Sequence, residues 1–308
     1  MHKKALFLQK KQLLDAQLDD LNLLFRQFLP DYEPWFATSA TDVDSELKYH
    51  LVITSFFDFF PDVMKKIRKP EHLHFTGSGT DKLREFAHDL DLEGVRITSS
   101  AGVNAVTIAE HVLGGILTFA KNMHLYRDQQ SRKVWKRYWH TEVYGQSAAI
   151  IGMGYIGREV ARRCSAMGMH VTGCVRTDRH IPGVDEVRLI RDLSGVVSVC
   201  DYVVMCVPLT QETFRMMDRE RFSCFKENAV FVNVSRGEVV DEKALTDLLR
   251  ENRIKGAVLD VFDKEPLPED HPFWELDNVL LTPHVAGTTQ YYMQNMFRII
   301  RKKLDEKG

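Results

Sequence analysis

The amino-acid sequence predicts an α/β protein in two parts, a small strand–helix unit and a larger parallel sheet covered by helices on both faces. Three observations carry this. Short, predominantly apolar runs without strict alternation, AAIIG, HVTGCV, DYVVMCV, AVFVNV, AVLDV and NVLLT, recur after Ser147 with other segments between them. Such runs suit strands buried on both faces, whereas strict alternation would mark a half-exposed sheet. A glycine-rich turn joins the first of these strands to a helix in IIGMGYIGREVARR. The chain, at 308 residues, is also long enough for two cores of ordinary size.

In the first part, ALFLQ reads as a short strand, and LLDAQLDDLNLLFRQFL as a helix whose Leu and Phe residues line one face. YHLVITS and HLHFTGSG each read as a strand ending in a turn. Val106–Ala120 is apolar on most sides and predicts a long, largely buried helix. In the second part, helices are expected from Tyr155 to Met167, near Leu189, and in DEKALTDLLREN with Asp241 as the cap. The last helix, MQNMFRIIRKKL, begins after Thr289 with no strand to follow, so it can pack back on the first part.

Composition narrows the function classes. With 44% hydrophobic and 27% charged residues the mixture is that of a soluble globular protein, and a net charge of −2 gives no reason to expect nucleic acid or an anionic membrane as partner. The apolar run near the N-terminus, ALFL, is shorter than the roughly 7–15 residues of a secretory signal. Nothing approaches the ~20 apolar residues of a membrane span. The five cysteines (Cys164, Cys174, Cys200, Cys206 and Cys224) form no CxxC pair, and their odd number fits a disulfide framework poorly, so a reducing cytoplasm is the expected home. No His/Cys/Asp group has metal-ligand spacing, so no metal is expected.

The turn supplies Gly152, Gly154 and Gly157 in GxGxxG spacing between a strand and a helix. Its glycines permit a tight turn, close approach of a pyrophosphate to backbone, and close packing of helix on strand. The helix N-terminus then offers unpaired N–H groups to the negative charge. The spacing alone is weak evidence, but the strand–turn–helix context is the one a dinucleotide site requires.

Three later segments, NVSRGEVVD, LDVFDKEPL and LLTPHVAG, carry Arg236, Glu265 and His284. Arg236 and His284 directly follow apolar strands, and Glu265 follows one by a few residues. All three are therefore expected at the carboxyl edge of the sheet, where ligands bind in such folds. An arginine can hold a carboxylate bidentately, a histidine can pass a proton to an oxygen that gains charge, and a glutamate beside it orients the ring and favours its charged form. Singly, each has a structural explanation: a strand-end arginine, a solvated acid, a satisfied histidine beside proline. Together, beside a phosphate cradle, they point to a site.

These pieces, with the VPLTQET turn after DYVVMCV and the earlier segments GSGTDKL and AGVNAVTIAEHVLGGIL, make the sequence similar to the D-isomer-specific 2-hydroxyacid dehydrogenase family over nearly its whole length. The resemblance implies two Rossmann-like domains with doubly wound parallel sheets and the active site in the cleft between them. Residues 1–102 with 288–308 would form the substrate domain, and 103–287 the dinucleotide domain. Arg236 and His284 would bind the substrate, with Ser78 and Gly79 offering N–H groups to its carboxylate. Hydride would pass from a nicotinamide to the carbon of a 2-oxo acid while His284, paired with Glu265, donates a proton to the forming alkoxide. The resemblance places Gly152, Gly154, Tyr155, Ile156 and Gly157 at the cofactor. It adds Val207, Pro208, Thr213, Val234, Ser235, Asp260 and Gly287 there, with Asp260 beside the nicotinamide. It also implies a homodimer with the helix 106–120 at its interface.

Where NAD-preferring relatives carry an acid at the end of the second strand, this chain has Val175, followed by Arg176, Thr177, Asp178 and Arg179. Loss of the acid removes repulsion of a 2′-phosphate, and Arg176 and Thr177 can bind one, so NADP is preferred over NAD; Asp178 is the residue that would favour NAD instead. Some reductases of glyoxylate and hydroxypyruvate share this exchange, which makes them the leading substrates. The chain's end at Gly308 leaves out the regulatory domain of many phosphoglycerate dehydrogenases, so that activity and a D-lactate type stand as alternatives. A dinucleotide-sensing binding protein of the same fold is a further alternative that intact Arg236, Glu265 and His284 disfavour, and their presence also speaks against formate oxidation. Phe56, Phe57, Phe59 and Phe60 could wall the substrate pocket or simply pack.

Overall fold

The computed structural model describes residues 2–55, 57–77 and 89–306. The chain divides into two compact units, Met1–Val103 with Thr289–Gly308, and Asn104–Thr288.

In the first unit, strands β1 (Lys3–Leu8), β2 (Tyr32–Ala37), β3 (Leu51–Thr54), β4 (His72–Phe75) and β5 (Arg96–Ser99) form a sheet in the order β2-β1-β3-β4-β5. All its pairings are parallel, the doubly wound order with one reversal at β1. Helix Lys11–Phe28 buries Leu21, Leu24 and Phe25 against the sheet. The final helix, Tyr292–Asp305, returns to the same face, its Phe297 ring meeting Phe25 edge-on at 5.1 Å. On the other face Phe60 is fully buried, while Phe57 and Phe59 stack at 5.2 Å against that core. Phe60 is thus a packing residue; Phe56 lies outside the described residues.

The second unit holds β6 (Ser147–Ile151), β7 (His170–Val175), β8 (Glu186–Leu189), β9 (Tyr202–Met205), β10 (Val230–Asn233), β11 (Gly256–Leu259) and β12 (Val279–Leu281). Their order is β12-β11-β10-β9-β6-β7-β8, so the winding reverses between β6 and β9. Side chains alternate between two cores: Ala149 and Ile151 of β6 enter one, Ala148 and Ile150 the other. Helix Ala105–Ala120 covers the second core together with helix Tyr155–Ala166. A Cβ on Gly115 would meet the Val258 methyls at 2.8 Å, which is how closely the first of these helices lies on β11. Asp241 caps helix Glu242–Arg250, its Oδ1 accepting from the Ala244 N–H at 3.0 Å.

Two expectations need correction. The stretch near Leu189 is not simply helical. Glu186–Leu189 is an edge strand, with a 3-10 turn at Ile190–Asp192 and a short helix only from Leu193. Its charged residues alternate along an exposed edge, and that pattern carries no buried run to mark it as strand. The helix Ala105–Ala120 is buried on one face rather than largely, with Ala109, Val112, Ile116 and Phe119 inside and Val106 exposed. Among the described residues, no helix is long and apolar enough to cross a membrane.

Candidate active site

The glycine turn lies at the point where the sheet reverses. Gly152 has φ +99°, and a Cβ there would meet the Cys206 carbonyl oxygen at 2.6 Å, because the turn crosses the end of β9. A Cβ on Gly157 would overlap the Gly152 oxygen at 1.9 Å, so helix and turn touch through backbone. Gly154 differs: among the described residues nothing lies within 4 Å of its missing Cβ, and no side chain caps the helix it begins. Two glycines therefore build the turn, and the third leaves open space before uncapped N–H groups, a cradle that fits a pyrophosphate.

Other expected cofactor residues line the same edge. Tyr155 is exposed and Ile156 partly buried at the helix start. Val207 and Val234 are buried in the two cores below the edge. Pro208 and Thr213 belong to one folded loop, since the Thr213 hydroxyl donates to the Pro208 carbonyl at 2.6 Å. Arg176 extends from β7 to the Glu212 carboxylate at 3.4 Å, and Thr177 makes no hydrogen bond among the described residues. Arg179 turns back to the cradle, donating to the Met153 carbonyl at 3.2 Å. Ser78 and Gly79 lie outside the described residues.

The three chemistry-bearing residues follow β10, β11 and β12. At the end of β10 the buried Asn233 folds the turn. Its Oδ1 accepts from the Ser235 N–H and hydroxyl, and its Nδ2 donates to the Arg236 carbonyl. A Cβ on Gly237 would overlap the Phe262 backbone at 1.9 Å, so only glycine lets this turn lie against the loop that carries Glu265. Glu265 accepts from the Phe262 N–H at 3.1 Å with one oxygen and meets His284 Nδ1 at 2.7 Å with the other. Partial burial pulls the Glu265 carboxyl up, but the hydrogen bonds from His284 and Phe262 and the charges of His284 and Arg236 outweigh it and hold it below the usual glutamate range. Glu265 is therefore ionised, Nδ1 of His284 is the donor, and Nε2 makes no hydrogen bond among the described residues. Beside the pair, Phe262, Leu267, Trp274 and Leu281 wall an apolar cavity of about 560 Å³.

Asp260, expected beside the nicotinamide, also has a role that the sequence did not reveal, clamping the His284 turn. Its buried carboxylate accepts from Thr282 Oγ1 (2.6 Å) and the N–H groups of Val285 and Ala286 (2.9 Å each), and its carbonyl accepts from the His284 N–H at 2.9 Å. This clamp holds His284 at φ +53°, a conformation costly for a residue with a Cβ. His111, on helix Ala105–Ala120, reaches the same hydroxyl: its Nε2 lies 3.3 Å from Thr282 Oγ1. That oxygen donates to Asp260, so it is the acceptor from His111. Asn104 was also missed. Its side chain packs on Gly287, where a Cβ would come within 2.8 Å, and its Oδ1 is buried without a partner among the described residues. Both residues sit inside AGVNAVTIAEHVLGGIL, but nothing in a helical pattern distinguishes a residue turned toward a distant loop. Among the described residues, no group of His, Cys, Asp or Glu is arranged to hold a metal.

A sheet reversing at a glycine cradle, with Arg, Glu and His at the next three strand ends, defines a dinucleotide-binding α/β protein. The model for the D-isomer specific 2-hydroxyacid dehydrogenase NAD binding domain matches residues 113–286, and the chain belongs to that family. It is similar to a D-3-phosphoglycerate dehydrogenase of Methanocaldococcus jannaschii, 35% identical over 78% of this chain and 46% of that one. A glyoxylate reductase of Korarchaeum cryptofilum is 36% identical over 68% of this chain and 65% of its own. The chain thus spans between about half and two thirds of the length of these relatives. Among solved structures, a D-isomer specific 2-hydroxyacid dehydrogenase of Xanthobacter autotrophicus in complex with NADPH and MES superposes with a TM-score of 0.81. It is 28% identical, with 97% of this chain and 92% of that one covered.

Proposed function

We propose that this chain reduces a small 2-oxo acid to the D-2-hydroxy acid with NADPH, glyoxylate and hydroxypyruvate being the leading substrates. The observation that carries the reading is the ionised Glu265 holding Nδ1 of His284, with Arg236 close enough to lower the same carboxyl further. The nicotinamide, when bound, supplies the hydride. Everything else falls to the chain. Arg236 holds the substrate carboxylate and faces the charge that grows on the carbonyl oxygen. His284 donates the proton at Nε2, and Glu265 stabilises the charged ring before transfer and fixes its orientation. In the reverse direction neutral Nε2 is the base.

NADPH is favoured by Val175 standing where an acid would repel the 2′-phosphate, with Arg176 beside it to pair with that phosphate, and the Xanthobacter relative bound to NADPH agrees in kind. We further propose a homodimer in a reducing cytoplasm. All five thiols are free. Trp135 and Trp139 are 95% and 99% exposed on a segment without regular structure, more aromatic surface than a monomer leaves to water. Initial rates with glyoxylate and with hydroxypyruvate, each with NADPH and NADH, test the activity, and light scattering at micromolar concentration tests the dimer. Turnover with NADPH well above NADH is expected. Binding of dinucleotide without turnover of either acid would sink the substrate assignment, and equal rates with the two cofactors would sink the NADPH preference.

A further inference from the structure

The ends of β7 and β8 border a cavity of about 490 Å³ whose lining includes Arg176, Arg191, Arg215 and Arg221 against Glu212 and Asp218. The four guanidiniums are not equivalent. Arg221 is committed, donating to Asp218 at 2.9 Å and to the Met216 carbonyl at 2.8 Å. Arg215 lies over the Phe214 ring at 5.4 Å. Arg176 meets only Glu212, and the two side chains are 80% and 71% exposed, so the pair is weak and easily exchanged. Arg191 has no ion-pair or hydrogen-bond partner among the described residues. Val175 and Leu189 are register partners, so Arg176 and Arg191 leave adjacent parallel strands within one register step of each other.

Two neighbouring strand-end arginines, one unpaired and one held by an exchangeable carboxylate, form a receptor for a dianion rather than a structural ion network. We infer that cofactor choice in this chain is set by three residues: Arg176 and Arg191 together take the 2′-phosphate of NADP, and Glu212 is a built-in competitor that occupies Arg176 until the phosphate displaces it. The inference rests on the NADPH reading above and adds to it Arg191, from the 3-10 turn after a strand not recognised in the sequence, and an opposing acid from the loop after β9. It makes the preference adjustable in both directions by single exposed residues that touch neither the cradle nor His284.

Calorimetric titration of the full chain with 2′,5′-ADP and with ADP reads this without turnover. The unsubstituted protein is expected to bind 2′,5′-ADP at least tenfold more tightly than ADP. Arg191→Gln is expected to weaken 2′,5′-ADP by about tenfold, the usual effect of losing one charge-assisted hydrogen-bond partner, with ADP unchanged. Glu212→Gln is expected to tighten 2′,5′-ADP by about threefold, again with ADP unchanged. An unsubstituted protein without preference between the two ligands overturns the NADPH reading and this inference with it. A clear preference that Arg191→Gln leaves intact, or a loss shared equally by ADP, overturns the inference alone.

Discussion

His74 and His284 are the same residue put to opposite uses. In the first unit His74 is fully buried between β4 and β5: Nδ1 meets the Thr98 hydroxyl at 2.7 Å and Nε2 meets the Ser100 hydroxyl at 2.9 Å. His72 shares the same Thr98 oxygen at 2.6 Å. In the second unit His284 is half exposed, spends one nitrogen on Glu265, and leaves the other without a partner among the described residues, at a positive φ beside the Asp260 clamp. A histidine satisfied at both nitrogens and denied water is core, whatever its residue type suggests. One satisfied at a single nitrogen, strained and facing an open edge is equipped to move a proton.

The largest expected effect separates the two directly. His284→Gln keeps a polar side chain of similar length but cannot transfer a proton, and kcat for 2-oxo acid reduction is expected to fall by roughly a thousandfold. Thermal stability should hold or rise slightly, since an exposed, strained position carries little packing. Steady-state kinetics and a melting curve on the same preparation decide it. A variant retaining a tenth of the activity would remove His284 from the proton path.

A second expectation concerns the buried pair. Burial drives the proton affinity of both rings down, to about 4 for His72, helped by the charge of Arg96, and to about 3 for His74, where His72 and Lys303 add to the effect. Both are neutral in the folded chain while the unfolded chain titrates near the ordinary histidine value of about 6.5. Between those values the unfolded state binds more protons. Stability from this pair is therefore complete above pH 6.5 and is lost as pH falls toward the folded values, by about 2 kcal/mol for each ring at pH 5. Urea midpoints at pH 7.5, 6 and 5 measure it, and a stability that stays level from pH 6.5 to 5 would contradict the buried, neutral assignment.

The same contrast explains what could be read from the sequence. The glycine turn and the three strand ends were legible because each places a chemically distinctive residue beside, or within a few residues of, a predominantly apolar run. Central strands announce themselves this way, and so does the apolar edge strand β12. The strands not foreseen, β2, β5 and β8, are all at sheet edges. YEPWFA contains a proline, tolerable only where a strand lacks one neighbour, and RITS and EVRL mix charge with apolar residues because one side meets water. The candidate site suffered the same blindness in a milder form. Arg236, Glu265 and His284 stand next to strands, whereas Asp260's clamp, His111 and Asn104 depend on contacts over many residues that no local pattern encodes. Arg191 was hidden twice, behind an edge strand and within a stretch read as helix.

His111 falls between the two extremes, and the smallest expected effect tests whether it belongs with the core or with the site. Its Nε2 reaches Thr282 Oγ1 at 3.3 Å, long enough to be a modest hydrogen bond, and Thr282 in turn donates to the carboxylate that clamps the His284 turn. A ring in this place acts only through others: it keeps the Thr282 hydroxyl aimed at Asp260 so that Val285 and Ala286 stay bound and His284 keeps its orientation. His111→Phe retains the ring and removes the donor. The net value of one such hydrogen bond, about 1 kcal/mol, corresponds to a drop in kcat of roughly fivefold. KM should be unchanged, because the ring touches neither substrate-binding group. A purely packing role would lower the melting temperature and leave kcat alone; a fall in kcat at constant KM, with melting hardly moved, places His111 on the catalytic side of the divide.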